Sequence, residues 1–180
     1  MIDPRDAGAR LGDIARVKER TERGLSYRKA APHLFLWSAV WFVGYGLAAL
    51  SPDLSVQWAI VVPVGIAGST IIGRRNSGGS GHVFKYLASA ALLFGLVLAL
   101  AAILPPLDGR QVGVLFPLFV ATIYGGIGIW TCHAKIGLTG AAVGGIALAA
   151  YVLAGAWFDA AMAVLGAGAL ALGGLWMRRW

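Results

Sequence analysis

The sequence predicts an all-α membrane protein: a six-transmembrane-helix bundle of three successive hairpins, with both termini on the cytoplasmic side. Three observations predict it. Hydrophobic residues make up 58% of the 180 residues and charged residues only 13%, against roughly 25% charged in a soluble domain. Six apolar stretches follow one another from His33 to Trp176, and six spans of about 20 residues need about 120, which leaves no room for a second folded domain. The charges are also sorted. Of the 15 Lys and Arg residues, 14 lie in the N-terminal arm or in the turns after the second, fourth and sixth stretches. The turns after the first, third and fifth stretches carry Asp53, Asp108 and Asp159, and only Arg110 breaks the pattern. Lys and Arg are retained on the cytoplasmic side during insertion, so the alternation sets both the number of spans and their direction.

Residues 1–32 form a cytoplasmic arm ahead of a transmembrane domain, residues 33–180. The arm holds eight bases (Arg5, Arg10, Arg16, Lys18, Arg20, Arg23, Arg28 and Lys29) and five acids. A helix is expected from Asp6 to about Leu25. Leu11, Ile14 and Val17 give it a narrow apolar stripe, continued by Thr21 and Leu25. Glu19 and Arg23 add a helical charge pair. So polar a helix is marginal alone and needs a membrane surface or a partner. Pro32 is expected to end the arm just before the bilayer. The start of the chain does not read as a cleaved signal, and the first span is expected to act as an uncleaved anchor.

Span one runs from about Leu34 to Leu50 and stops at Ser51-Pro52-Asp53. Span two, about Val56–Ile72, contains Pro63 and leads into a Gly-rich loop, residues 73–81, flanked by Arg74, Arg75 and Lys85. Span three runs about Tyr86–Leu104, to Pro105-Pro106. Span four, about Val112–Trp130, contains Pro117. The turn Thr131-Cys132-His133-Ala134-Lys135 introduces span five, about Ile136–Leu153. Span six, about Phe158–Trp176, closes on Arg178 and Arg179. Trp37, Trp58, Trp130, Trp157, Trp176 and Trp180 fall near span ends, where amphipathic rings settle at headgroup level.

The spans' interiors carry no Asp, Glu, Lys or Arg. Charges inside a membrane mark proton relays and ion pathways, so their absence weighs against a pump, a proton-coupled antiporter or a voltage sensor. A path for an uncharged solute stays open, with Pro63 and Pro117 interrupting their helices and Thr122 and Tyr124 as polar groups. Gly140 and Gly144, then Gly166 and Gly173, give small-residue faces for helix packing, within one bundle or in a homo-oligomer or larger membrane complex. Arg16, Arg20, Arg23, Arg74, Arg75 and Lys85 are candidate contacts to the anionic cytoplasmic leaflet or to a partner.

One cysteine, Cys132, excludes an internal disulfide and a multi-Cys metal site. His33, His82 and His133 map to the cytoplasmic side, but nothing in their spacing makes them ligands. No cofactor or metal is expected. The net charge of +7 is distributed for lipid rather than nucleic acid, which would need a soluble basic surface with aromatic interleaving. No nucleophile–base pair can be assembled, so no enzyme is expected.

Leu47-Ala48-Ala49-Leu50-Ser51-Pro52, Leu100-Ala101-Ala102-Ile103-Leu104-Pro105 and Leu172-Gly173-Gly174-Leu175-Trp176 repeat an apolar run that breaks at a proline turn or a glycine-rich end. In this the chain is similar to small bacterial inner-membrane proteins of the HdeD acid-resistance type, built from successive two-span hairpins. The charged arm and the proline-free turn near Trp157 depart from that pattern, and no functional residue carries over. The expected function is a non-enzymatic bacterial inner-membrane protein, structural or regulatory, whose arm meets lipid or a protein. The rivals are a small carrier or channel and an accessory subunit of a membrane complex.

Overall fold

The computed structural model describes residues 4–51, 56–77, 91–92, 95–96, 99–100, 102–104 and 107–179. Among them the chain is all helical, with no strand. The helices are α1 (Pro4–Leu50), α2 (Val56–Ser77), α3 (Gly109–Trp130), α4 (Ala134–Leu153), α5 (Phe158–Ala161) and α6 (Ala167–Arg178). Among the described residues, four segments are long and apolar enough to cross a membrane: Arg16–Leu50, Gly109–Trp130, Ala134–Leu153 and Gly155–Arg178. The chain is a helical bundle with the composition of a membrane protein. Most of the expected third span, and with it Lys85 and His82, lies outside the described residues; the described turns between 91 and 103 are helical.

α1 corrects one expectation. Pro32 was expected to end the arm, yet the helix runs through it for 47 residues. Proline removes one amide donor and crowds the carbonyl four residues earlier, which leaves the carbonyl of Arg28 without its helical partner. Packing on both sides of the proline outweighs that loss. Tyr27, Ala31, Leu34, Trp41 and Tyr45 are all buried, and their spacing places them along one side of the helix. Ahead of Tyr27 the described side chains of the helix make exposed ion pairs, Asp13–Arg16 at 3.8 Å and Lys18–Glu22 at 4.0 Å, each worth a few tenths of a kcal/mol, and local hydroxyl bonds from Thr21 and Ser26 to their own helix.

α1 lies between α2 and the last span, and α4 lies between α3 and α6. The core joins Tyr27, Leu34, Trp41 and Tyr45 of α1 to Val143 and Ala147 of α4, Phe158, Met162 and Leu170. α3 begins on a capping box. Asp108 Oδ1 accepts from the Gln111 amide at 2.6 Å, and the Asp108 amide donates to Gln111 Oε1 at 2.9 Å. The last span is not one regular helix. A 3₁₀ turn (Gly155–Trp157) opens it, and a π turn (Met162–Gly166) separates α5 from α6.

Candidate functional site

The Tyr27 end of the bundle is held by a three-helix clasp. Lys135, at the start of α4, donates from Nζ to the Trp176 carbonyl of α6 at 3.0 Å. The same ammonium lies 5.4 Å from the centre of the Tyr27 ring and 5.0 Å from that of Trp176. A cation at the carbonyl end of a helix opposes its dipole, and the two ring faces add cation–π attraction. His133 completes the clasp, its ring edge-on to Tyr27 at 5.2 Å. Its Nδ1 donates to the Thr131 carbonyl at 2.6 Å. The turn reaches this position through Cys132, whose φ of 54° is left-handed and uncommon for a residue with a side chain.

The clasp fixes where the bundle stops gripping α1. Beyond it the described side chains of α1 are exposed. Ile14 is 64% exposed, Val17 66% and Leu25 53%. Arg16 and Arg20 are exposed here too, whereas the side chain of Arg23 lies outside the described residues. Arg74 and Arg75 are exposed at the end of α2.

At the opposite end the polar chemistry serves packing. Pro117 of α3 cannot donate to the carbonyl of Gly113, four residues earlier. The Tyr45 hydroxyl of α1 donates to that carbonyl at 2.7 Å. Tyr45 is fully buried, edge-on to Trp58 at 4.8 Å, Trp41 at 6.0 Å and Phe158 at 6.1 Å. In a bilayer a neighbouring helix must satisfy what a proline frees, and Tyr45 does so here. Two further bonds tie α1 to its neighbours: Trp37 Nε1 to Ser69 Oγ of α2 at 3.1 Å, and Ser38 Oγ to the Ala167 carbonyl of α6 at 2.8 Å.

The four residues expected to line a solute path do not converge. Pro117 is buried in the core, while Pro63 faces outward on α2. Thr122 is exposed and returns its hydroxyl to the Leu118 carbonyl of its own helix at 2.9 Å. The Cβ of Tyr124 packs where a Gly140 side chain would stand. Inside the helices, Trp41 Nε1 and Gln57 Oε1 are buried without a hydrogen-bond partner among the described residues. They lie on α1 and α2, away from Thr122 and Tyr124 on α3.

The expected packing glycines lie between helices of this chain. A Cβ at Gly140 would stand 2.8 Å from the Ala121 carbonyl oxygen, and one at Gly144 would stand 3.0 Å from the Ala121 Cβ. Gly173 faces Thr139 of α4, and Gly166 lies under the Met162 side chain beside Trp41. Thr122, Gly140 and Gly144 also border a shallow groove of about 480 Å³ on the outer face of α3 and α4.

Trp130 and Trp157 are exposed at helix ends, whereas Trp37 and Trp58 are used inside the bundle. Trp180 lies outside the described residues. Among those residues no group of three His, Cys, Asp or Glu side chains could hold a metal ion.

Sequence reasoning missed Tyr27, Lys135 and Tyr45. Lys135 carried a signal, as the only base of its turn. Tyr45 carried none that names its partner, because only folding shows which hydroxyl meets the carbonyl that Pro117 frees. No known family model matches the chain, and neither a curated protein nor a solved structure is significantly similar to it.

Proposed function

We propose that this chain is a non-enzymatic, structural or regulatory protein of the bacterial inner membrane. It crosses the bilayer six times with both termini in the cytoplasm, and its N-terminal helix is a docking element. The observation that carries the reading is α1. One helix continues from the bundle, through Pro32, into an exposed segment with Ile14, Val17 and Leu25 uncovered. At about 1.5 Å per residue, the stretch ahead of Tyr27 is about 35 Å long. A helix with exposed apolar groups and few internal supports has its use in contact with something else.

Supporting the six-span count, α2 carries no charge before Arg74, and the described residues between 91 and 103 are helical. The charge sorting supports the direction. The HdeD-type likeness is proposed as one of hairpin layout alone.

Removing residues 1–26 tests the reading, because that cut keeps Tyr27 and its clasp. The truncated chain should insert and fold like the full chain but lose a copurifying partner or a cellular phenotype. Full retention of both would refute the docking role. Labelling of Ser51→Cys from the periplasm and of Cys132 only from the cytoplasm would support the orientation, and the reverse would overturn it.

A further inference from the structure

The azimuth of the arm is set by the rest of α1, and it selects what the arm can touch. At 3.6 residues per turn, Thr21 and Leu25 lie within about 20° of Ile14 on either side, with Val17 about 60° from it. Carried along the same helix, that direction meets Ala39, Val43 and Leu50, all exposed on the outside of the bundle. On the gripped side, the large buried rings and chains of Tyr27, Leu34, Trp41 and Tyr45 point about 140° away or more, Ala31 about 100° and Val40 about 80°. The arm's apolar stripe is therefore in register with the outward, lipid-facing side of the span.

That register has a geometric consequence. When a helix leaving a bilayer bends outward, its outer face becomes the inside of the bend and turns onto the leaflet. A stripe on the gripped side would turn away from lipid instead. The chain has a place to bend. Gly24 is the last glycine before the clasp, and nothing lies within 4 Å of where its Cβ would be. Glycine is the poorest helix former after proline.

The charges fit the same surface. Lys18 lies within about 40° of the stripe's centre, and Arg28 and Lys29 within about 60°. All three are exposed. The acids Asp13 and Glu22 lie about 80° away or farther. Apolar groups flanked by bases characterise a helix lying in an anionic interface. A second copy fits worse, because self-pairing along this stripe would oppose Lys18, Arg28 and Lys29 to their own copies.

We infer that the N-terminal helix folds outward at Gly24 and lies on the anionic leaflet, with Ile14, Val17 and Thr21 at the headgroup–acyl boundary and Lys18 among the phosphates. This rests on the docking role and cytoplasmic orientation proposed above, and it names the surface that is docked.

The full-length protein tests it, in a Cys132→Ala background with an environment-sensitive fluorophore at Val17→Cys or, about 160° from the stripe's centre, at the exposed Arg16→Cys. Thr21→Cys serves as a second stripe position if Val17→Cys folds poorly. The protein is placed in nanodiscs of phosphatidylcholine with or without phosphatidylglycerol. The stripe probes should shift to the blue and brighten several-fold only with phosphatidylglycerol, and high salt should reverse the change. The Arg16 probe should stay close to its solvent value. Lys18→Gln should weaken the docked population about fivefold, the effect of one base near an anionic surface.

The inference is overturned if the stripe probes remain solvent-like in both lipids or if both faces respond alike. It is also overturned if the shift needs an added protein or scales with the number of chains per disc in neutral lipid. Those last outcomes would leave the docking role standing, whereas retention of both the copurifying partner and the phenotype after removal of residues 1–26 would remove that role by itself.

Discussion

Tyr45→Phe isolates one hydrogen bond, because the ring keeps its edge contacts with Trp41, Trp58 and Phe158 while the donor to Gly113 is lost. The carbonyl left behind has no helical donor, since residue 117 is proline. An unsatisfied buried acceptor costs about 1–3 kcal/mol. Hydrogen bonds between membrane helices average about 0.6 and reach about 1.7 kcal/mol, so about 1–2 kcal/mol is expected. That lowers the folded-to-unfolded ratio by roughly 5- to 30-fold.

Pro117→Ala supplies the missing amide, and the helix can then satisfy Gly113 by itself. In that background Tyr45→Phe should cost about a third as much or less, giving a coupling energy of about 1 kcal/mol. Loss of the proline ring from the core also costs stability, but it enters both legs of the cycle and cancels. Reversible unfolding of the purified protein in mixed micelles, followed by tryptophan fluorescence, reads all four variants. Additive effects would refute the assignment of the Tyr45 hydroxyl to the carbonyl that Pro117 frees.

Lys135→Met should loosen the clasp. Hydrogen exchange at residues 25–31 and trypsin cleavage after Arg28 and Lys29 should rise several-fold, and unchanged rates would show that Lys135 does not hold α1. Gly140→Val should unfold the α3–α4 hairpin, because even a Cβ meets the Ala121 carbonyl oxygen and the Tyr124 Cβ at 2.8 Å. Gly145→Val, with open space at its Cβ, should fold normally; thermal unfolding in detergent separates the two. Gly145 is also the cleaner probe of contact with another subunit, since Gly144 already faces Ala121. Ser38→Ala should cost about 0.6–1.7 kcal/mol in the same micelle assay, because the Ala167 carbonyl loses its side-chain donor.

The helices were legible because span interiors without charge and turns rich in charge are read at single residues. Asp108 could be expected at a helix end, and it caps α3. The course of α1 through Pro32 was not legible. Local rules favour a break there, and the contacts that outweigh them join Tyr27 to Lys135 and His133, more than 100 residues away. The π turn was hidden for a related reason, since residues 158–176 read as one uninterrupted apolar helix and no proline marks the change. Pro117 was visible as an interruption, but its consequence depended on Tyr45. A proline in a span announces a free carbonyl without saying whether a solute or a side chain will meet it.

The placement of α1 makes these local facts into one constraint. Lipid gives helices no hydrophobic reason to associate, so packing and the few hydrogen bonds between them carry the specificity. α1 supplies the donor in three of these bonds: Trp37 to α2, Ser38 to α6 and Tyr45 to α3. Donors pointing to three helices fix its rotation as well as its position, and Tyr27 in the clasp fixes that rotation at the point where the arm begins. A helix transmits rotation along its length. The direction of Ile14 and Val17 is therefore decided by Trp37, Ser38 and Tyr45, two dozen residues away. Variants that free α1 inside the bundle should thus weaken docking by the arm while leaving every residue of the arm unchanged.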